Sequence, residues 1–323
     1  MRTITFTQAI RETLAAELRR DPSVFLLGED IGVYGGAFGV TRGLIDEFGP
    51  DRIRNTPISE QALTGITIGA AVAGMRPVME IMFMDFITLS VDQMVNFAAK
   101  LHPIYGQKCP MVIRTPPGAG RGYGATHSQS LERLFLGVPG IKVAAPSTAA
   151  DASGLLQQAI RDDNPVLFLE HKLLYPLRFE MPDDLPPPEP FGVARRVTEG
   201  SDLTIVAWSY MTELARRAAA LLSQEGIGAE VIDLRTLNPL DMETVLESVK
   251  TTGRAMVVEE GPRTGGFSAE IAAQIAEGAQ DYLEMPVYRL ASPDLPFPAS
   301  KPLELTCIPS ADAIVAAAKE MLA

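Results

Sequence analysis

Cysteine is almost absent: of 323 residues only Cys109 and Cys307 carry a thiol, too few and too far apart for a disulfide framework or a zinc site. Positive charge is also short. Lys and Arg number 28 against 40 Asp and Glu, a formal net charge of -12, which argues against a nucleic-acid partner because phosphate binding draws on a field of cations. No apolar run is long enough for a signal core or a membrane span, and the amino-terminal stretch MRTITFTQAIRETLAAELRRD alternates and then turns amphipathic. Export and membrane insertion are therefore not expected, and a cytoplasmic setting is. There is no Walker A loop, no G-x-S-x-G elbow and no H-E-x-x-H helix, so P-loop phosphoryl transfer, hydrolase and metalloprotease chemistries lack their motifs.

What is present describes a soluble globular enzyme: 46% hydrophobic, 21% charged, with Gly and Pro spread along the chain. The length suits two domains. Short apolar, β-branched runs at Val24–Leu27, Val78–Phe83, Met111–Arg114, Ile141–Ala145 and Val166–Leu169 alternate with helical patterns near Gln8–Arg19, Gln61–Ala73, Leu89–Lys100 and Ala149–Arg161. This alternation predicts a mainly parallel sheet covered on both faces, an α/β fold. Between Pro176 and Pro190 six prolines bar regular elements. The alternation then restarts, with strands at Leu203–Ala207, Ala229–Ile232, Ala255–Glu259 and Val287–Leu290, and helices near Thr212–Gln224, Asp241–Val249, Gly266–Glu277 and Ser310–Leu322. The expected organisation is a first domain over 1–180, a linker over 181–190 and a second domain over 191–323.

Three segments carry candidate chemistry. In NTPISEQALTGITIGAAVAG, Asn55–Gly74, Glu60 falls in the first turn of a helix after Ser59, where the dipole stabilises a carboxylate; a capping box would need its acid at Ala62, so simple capping does not account for it. In EIMFMDF, Glu80–Phe86, a strand becomes a loop. In an open α/β sheet ligands gather at such carboxyl ends, although core packing is the plain alternative for Phe86. The third segment, PPGAGRGYGATHSQS, sets Gly118, Gly120, Gly122 and Gly124 before His127. His127, among hydroxyls, is suited to proton transfer near neutral pH or is a surface histidine without a role. Gly120, Gly122 and Ala125 match a relaxed dinucleotide spacing, but no ribose-binding acid follows the next strand.

Taken together, GEDIGVYGGAFGVTRGL, the Asn55–Phe86 region, DQMVNFAAK, THSQSLE, DNPVLFLEHKLLY and DLRTLNPLD resemble the beta subunits of the thiamine-dependent 2-oxo acid dehydrogenases, from about Thr5 to the carboxyl end. The resemblance implies a transketolase-like pyrimidine-binding domain followed by a transketolase carboxyl-terminal-like domain. It implies that Glu60 hydrogen-bonds the aminopyrimidine of thiamine diphosphate, favouring the imino tautomer that removes the thiazolium proton. Phe86 would stack on that ring, with Ile58 and Met82 lining the same pocket. His127 would face the reacting centre and assist acyl transfer to a lipoyl sulfur. Ala159, Ile160, Asp162 and Asn164, with Met111, would supply oxygens to a structural potassium ion.

Thiamine enzymes hold the diphosphate through magnesium on a G-D-G motif, and this chain has no Gly-Asp dipeptide. The metal and diphosphate are thus expected on an alpha subunit, in an assembly of two alpha and two beta chains with the cofactor shared between them. A lipoyl-bearing acyltransferase is the expected further partner. EHKLLY leans toward pyruvate or acetoin over branched-chain substrates, with pyruvate preferred. A split transketolase or a non-catalytic scaffold are the alternatives; the active-site loop is poor in basic groups for a sugar phosphate, and a scaffold has no need of Glu60, Phe86 and His127.

Overall fold

The computed structural model describes residues 1–323, which form two compact units. Met1–Pro117 with Leu134–Phe191 make the first, and Gly118–Arg133 with Gly192–Ala323 make the second. The first unit is therefore not one continuous stretch: residues 118–133, expected in the first domain, pack with the second.

The first unit holds β1 (Arg2–Thr5), α1 (Phe6–Arg20), β2 (Val24–Gly28), α2 (Leu44–Phe48), β3 (Ile53–Asn55), α3 (Glu60–Val72), β4 (Arg76–Glu80), α4 (Ala99–Tyr105) and β5 (Val112–Thr115). After α5 (Arg133–Leu136), it continues with β6 (Lys142–Ala144), α6 (Ala149–Arg161), β7 (Val166–Leu169) and β8 (Arg178–Met181). Its sheet runs β6-β7-β5-β4-β2-β3, all parallel. Every residue of β2, β5 and β7 is buried, as a sheet covered on both faces requires. Helix α1 begins with a capping box in which Thr5 and Gln8 bond reciprocally and ends on Arg19 and Arg20, satisfying its first amides and complementing its dipole. Its buried Thr13 meets Ser153 of α6 at 2.8 Å.

Two expectations change here. The strand expected through Phe83 ends at Glu80, because the Ile81 and Met84 amides donate to the Arg114 and Pro116 carbonyls and turn the chain over the end of β5. The helix expected over 89–100 is broken into a 3₁₀ segment (Met84–Ser90), a π turn (Gln93–Ala98) and α4, which carries Pro103 and stops at left-handed Gly106. The proline-rich stretch is also not free. Gln157 donates to Pro186 O at 2.8 Å and the Glu189 amide to Gly154 O at 3.0 Å, while a Cβ on Gly154 would stand 2.5 Å from Glu189 Cγ and 3.0 Å from Pro187 O. Glycine is what lets this segment lie along α6.

The second unit comprises β9 (Arg195–Thr198), β10 (Leu203–Ala207), α7 (Tyr210–Gln224), β11 (Ala229–Asp233), β12 (Thr236–Asn238), α8 (Met242–Thr252), β13 (Ala255–Pro262), α9 (Phe267–Ala279), β14 (Tyr288–Ser292), α10 (Lys301–Cys307) and α11 (Ala311–Leu322). Its sheet order is β14-β13-β10-β11-β9, parallel except for the antiparallel edge strand β9. Leu203, Ile205, Met211, Leu222, Met256 and Ile314 belong to the core that α7 and α11 close on this sheet. The polar β9 (RRVT) and the short α10 lack a periodic signal and were not anticipated.

Candidate active site

In the first unit the chain goes from β2 outward to β3, then returns to the other side of β2 to make β4. This reversal leaves a crevice at the carboxyl ends of β2 and β4, the place where open α/β sheets take ligands. Glu29 follows β2, Met82–Phe86 follow β4, and Glu60 opens α3 on the return from β3.

Glu60 is the first residue of α3 and only 5% exposed. Ser59 is the N-cap but makes no side-chain capping bond. The start of α3 is instead tied down by Ser90, which donates to Glu60 O at 3.2 Å, and by Thr64, which donates to Glu60 O and to Ser90 Oγ, each at 2.8 Å. Beside it Glu29, which sequence reasoning did not single out, follows β2 and is buried. Burial and then the charge of Glu60 raise the Glu29 carboxyl above its usual range, against a hydrogen bond from the Ser59 amide. Its Oε1 is buried without a partner. Two neighbouring carboxyls, one with its proton affinity raised by burial, form a pair of the kind that exchanges protons with a ligand. The only sequence signal for Glu29 was its place one residue beyond an apolar strand.

Phe86 lies in the 3₁₀ segment whose Ser90 holds Glu60, and Phe83 and Phe86 stand edge to face at 6.2 Å. Phe83 is backed in turn by Phe38 at 5.7 Å and by the buried Lys172 ammonium at 5.2 Å from its ring centre. Phe86 and Met82 are half-buried, whereas Ile58 is 80% exposed. Beneath them Arg114, fully buried, bonds Glu80 at 2.9 Å and Glu170 at 2.6 and 2.7 Å, and Tyr175 donates to Glu170 at 2.8 Å. This network fixes the ends of β4, β5 and β7. Burial raises the Glu80 carboxyl while the Arg114 charge opposes the shift. A crevice with neighbouring carboxyls and half-buried aromatic faces suits a flat heterocycle with titratable nitrogens, so the residues present fit an aminopyrimidine.

His127 belongs to the second unit, in the loop Gly118–Arg133. Its Nδ1 lies 2.9 Å from Thr126 Oγ1. Two buried carboxylates that sequence reasoning missed hold this loop. Glu304 of α10, fully buried, accepts from the Gly122 amide at 2.5 Å and from Ser128 Oγ at 2.8 Å, and Glu260 accepts from the Ala119 amide. Gly118, Gly120, Gly122 and Gly124 all have positive φ, the conformation that glycine supplies at little cost. The glycines were legible; their acidic partners, 141 and 182 residues further on, were not.

The stretch expected to form a potassium loop is tied together by hydrogen bonds. Arg76 Nη1 donates to the carbonyls of Ile160 at 3.0 Å and Asp162 at 2.9 Å, Val166 N donates to Met111 O, and Asp162 N to Ala159 O. The Asp162 carboxylate takes Asn164 N and Nδ2 on one oxygen and Lys142 Nζ on the other. Arg76 and Lys142 thus brace the stretch 159–164 against the neighbouring elements.

Residues 2–178 match the family model of the transketolase pyrimidine-binding domain and residues 192–314 that of the transketolase C-terminal domain. The chain is thus of the transketolase-like class. It is 44% identical over 320 residues to the pyruvate dehydrogenase E1 component subunit beta of Rickettsia felis, covering 98% of each chain. It is 46% identical over 333 residues to the acetoin:2,6-dichlorophenolindophenol oxidoreductase subunit beta of Cupriavidus necator, covering 99% of this chain and 98% of the other. Among solved structures, a split-gene transketolase described as an inactive beta4 tetramer superposes with a TM-score of 0.79 at 25% identity, covering 99% of this chain and 98% of that one. The chain belongs to the family of beta subunits of the thiamine-dependent 2-oxo acid dehydrogenases.

Proposed function

We propose that this beta subunit, with an alpha subunit, carries out the oxidative decarboxylation of pyruvate and the reductive acylation of a lipoyl arm on an acyltransferase. The observation that carries this reading is the buried Glu60 at the head of α3, beside the buried Glu29 and tied to the segment bearing Phe86. Glu60 holds the aminopyrimidine of thiamine diphosphate at a ring nitrogen, Phe86 stacks on the ring, and Met82 and Ile58 border it. The bound cofactor supplies the carbon nucleophile and the electron sink for loss of carbon dioxide. Glu60 moves the proton that sets the ring's tautomer, with the buried Glu29 carboxyl beside it. His127 donates to or orients the group under transfer, on a loop whose backbone Glu260 and Glu304 hold.

Magnesium and the diphosphate belong to the alpha chain in this proposal, since this sequence has no Gly-Asp dipeptide to begin the expected motif, and a structural potassium ion would take oxygens of Met111, Ala159, Ile160, Asp162 and Asn164. The surface available to that partner includes α3, where Ile66 is 58% exposed and a Cβ on Gly69 would meet nothing within 4 Å, so another chain can approach its backbone. An assembly of two alpha and two beta chains follows, inactive when the beta chain is alone. No helix is long and apolar enough to cross a membrane, and both cysteines are free, which suits a reducing compartment such as the bacterial cytoplasm.

The test is dye-linked turnover of pyruvate, branched-chain 2-oxo acids and acetoin by the chain co-expressed with its alpha partner. Pyruvate turnover present in the complex and absent from each chain alone supports the proposal. Preference for acetoin moves the substrate assignment to the Cupriavidus-like activity, and ketol transfer between sugar phosphates overturns the dehydrogenase reading.

A further inference from the structure

Lys172 is among the largest side chains that are fully buried, and the proposed chemistry does not use it. It follows β7, and its amide donates to the Pro117 carbonyl at 3.3 Å, which holds this part of the chain against the end of β5. Taking an ammonium out of water is costly unless groups that suit a cation face it. One that faces Lys172 is the ring of Phe83, whose centre lies 5.2 Å from Nζ. A ring draws a cation to its face and not to its edge, because the quadrupole is negative there. The contact therefore constrains the direction in which the plane of Phe83 lies.

Phe83 is only half-buried, so its neighbours decide how far it turns. Phe38 stands against it with the planes inclined by 75°, and Phe38 in turn stacks on Tyr175 at 5.0 Å, whose hydroxyl donates to the buried Glu170. On this braced ring Phe86 sets its own, the two planes at 89°. A T-shaped pair keeps one plane perpendicular to the other, so the setting of Phe83 bears on that of Phe86. Ser90 ties the main chain of the Phe86 segment to the Glu60 carbonyl, while Phe83 acts on the Phe86 ring itself.

Resting on the assignment of Phe86 to the aminopyrimidine, we propose that Lys172 is a positioning residue for that pocket: its ammonium orients Phe83, and Phe83 orients the ring on which the aminopyrimidine stacks. Stacking needs nearly parallel planes. A Phe86 ring left free to tilt gives up part of that contact, whereas Glu60, anchored through its own carbonyl, keeps its place.

The experiment measures the Kd of thiamine diphosphate by calorimetry in the assembled complex of alpha and beta chains, with the melting temperature of every variant recorded. Lys172→Met follows the shape of the lysine stem without its charge and raises the Kd by about threefold or more. In the Phe83→Leu background the same change adds little, because the lysine acts through that ring. Replacing Phe83 by its mono-, tri- and pentafluoro analogues keeps the shape, leaves Lys172 in place and drains the negative face of the ring. The Kd then rises stepwise with fluorination, a trend that a merely structural lysine does not produce and that decides the matter alone if Lys172→Met does not assemble. Native affinity in Lys172→Met overturns the proposal, as does a fluorinated series without trend or a Lys172→Met loss undiminished beside Phe83→Leu. Glu60→Gln, measured in parallel, keeps the two assignments apart: weakened binding there with Lys172 silent overturns this inference alone, and a native complex that binds no thiamine diphosphate overturns the pocket and this inference with it.

Discussion

At the scale of single residues the site rests on carboxyl groups in unequal environments. Replacing Glu60 with Gln keeps the shape of the α3 start, whose tethers run through the main-chain carbonyl, and removes the acid–base function. Decarboxylase turnover in the assembled complex is expected to fall at least about 100-fold with the melting temperature nearly unchanged; equal losses of both would show a structural role instead. Glu132 offers a prediction about stability. Burial drives its carboxyl up to about 7, with the charges of Glu259 and Glu260 adding to the shift and the Trp208 indole N–H opposing it. A carboxyl that holds its proton more tightly in the folded state favours folding below the unfolded value of about 4.5, and that contribution fades as pH rises through about 7. Its full size is about 3 kcal/mol, so the native chain should melt lower at pH 8 than at pH 6, and Glu132→Gln should flatten that difference. Glu60 was legible because a helix-start acid left uncapped is a local pattern. Glu29 and Glu132 were not, because their burial depends on strands and loops far away in sequence.

At the scale of elements, β2, β5 and β7 could be placed to within a residue because each is a short apolar run buried on both faces, whereas β4 and β13 end three residues from their expected ends and the short β3 gave no signal. The region after β4 resisted: its amphipathic pattern suggested one helix, while the Ile81 and Met84 amides and the Ser90 hydroxyl are drawn to the ends of neighbouring elements. Two predictions belong here. Glu304→Ala takes both acceptors from the His127 loop and should lower kcat by roughly tenfold or more through misplacement, with cofactor affinity little altered; an unchanged kcat would mean the loop is held by Glu260 and its glycines alone. Gly154→Val drives a side chain into Pro187 O and Glu189 and should cost about 1–3 kcal/mol, read as a shifted denaturation midpoint.

At the scale of the whole molecule, two α/β units and a resemblance extending to the carboxyl end were both visible in the sequence, since periodicity and motif order survive without coordinates. The path of the chain was not. A proline-rich stretch reads as a spacer, yet here it lies along α6, because a lone glycine within a helix gives no sign of what rests on it. The partner requirement has a direct test. Chemical denaturation of the isolated chain should show a folded protein that binds no thiamine diphosphate tightly, and addition of the alpha chain should restore binding and turnover together; turnover by the isolated chain would refute the shared site.

The backbone crosses between the two units at 117/118, at 133/134 and again at 191/192, whereas the family models divide the sequence only once. Recombination between relatives at that single junction would therefore separate a sixteen-residue guest, Gly118–Arg133, from the host that secures it: a chimera joined after Phe191 would pair one parent's His127 loop with the other parent's Glu260 and Glu304. Chimeras of this family should keep activity only when those two positions and the loop come from compatible parents, so the unit of inheritance for this site is a discontinuous set of segments that no single crossover transmits.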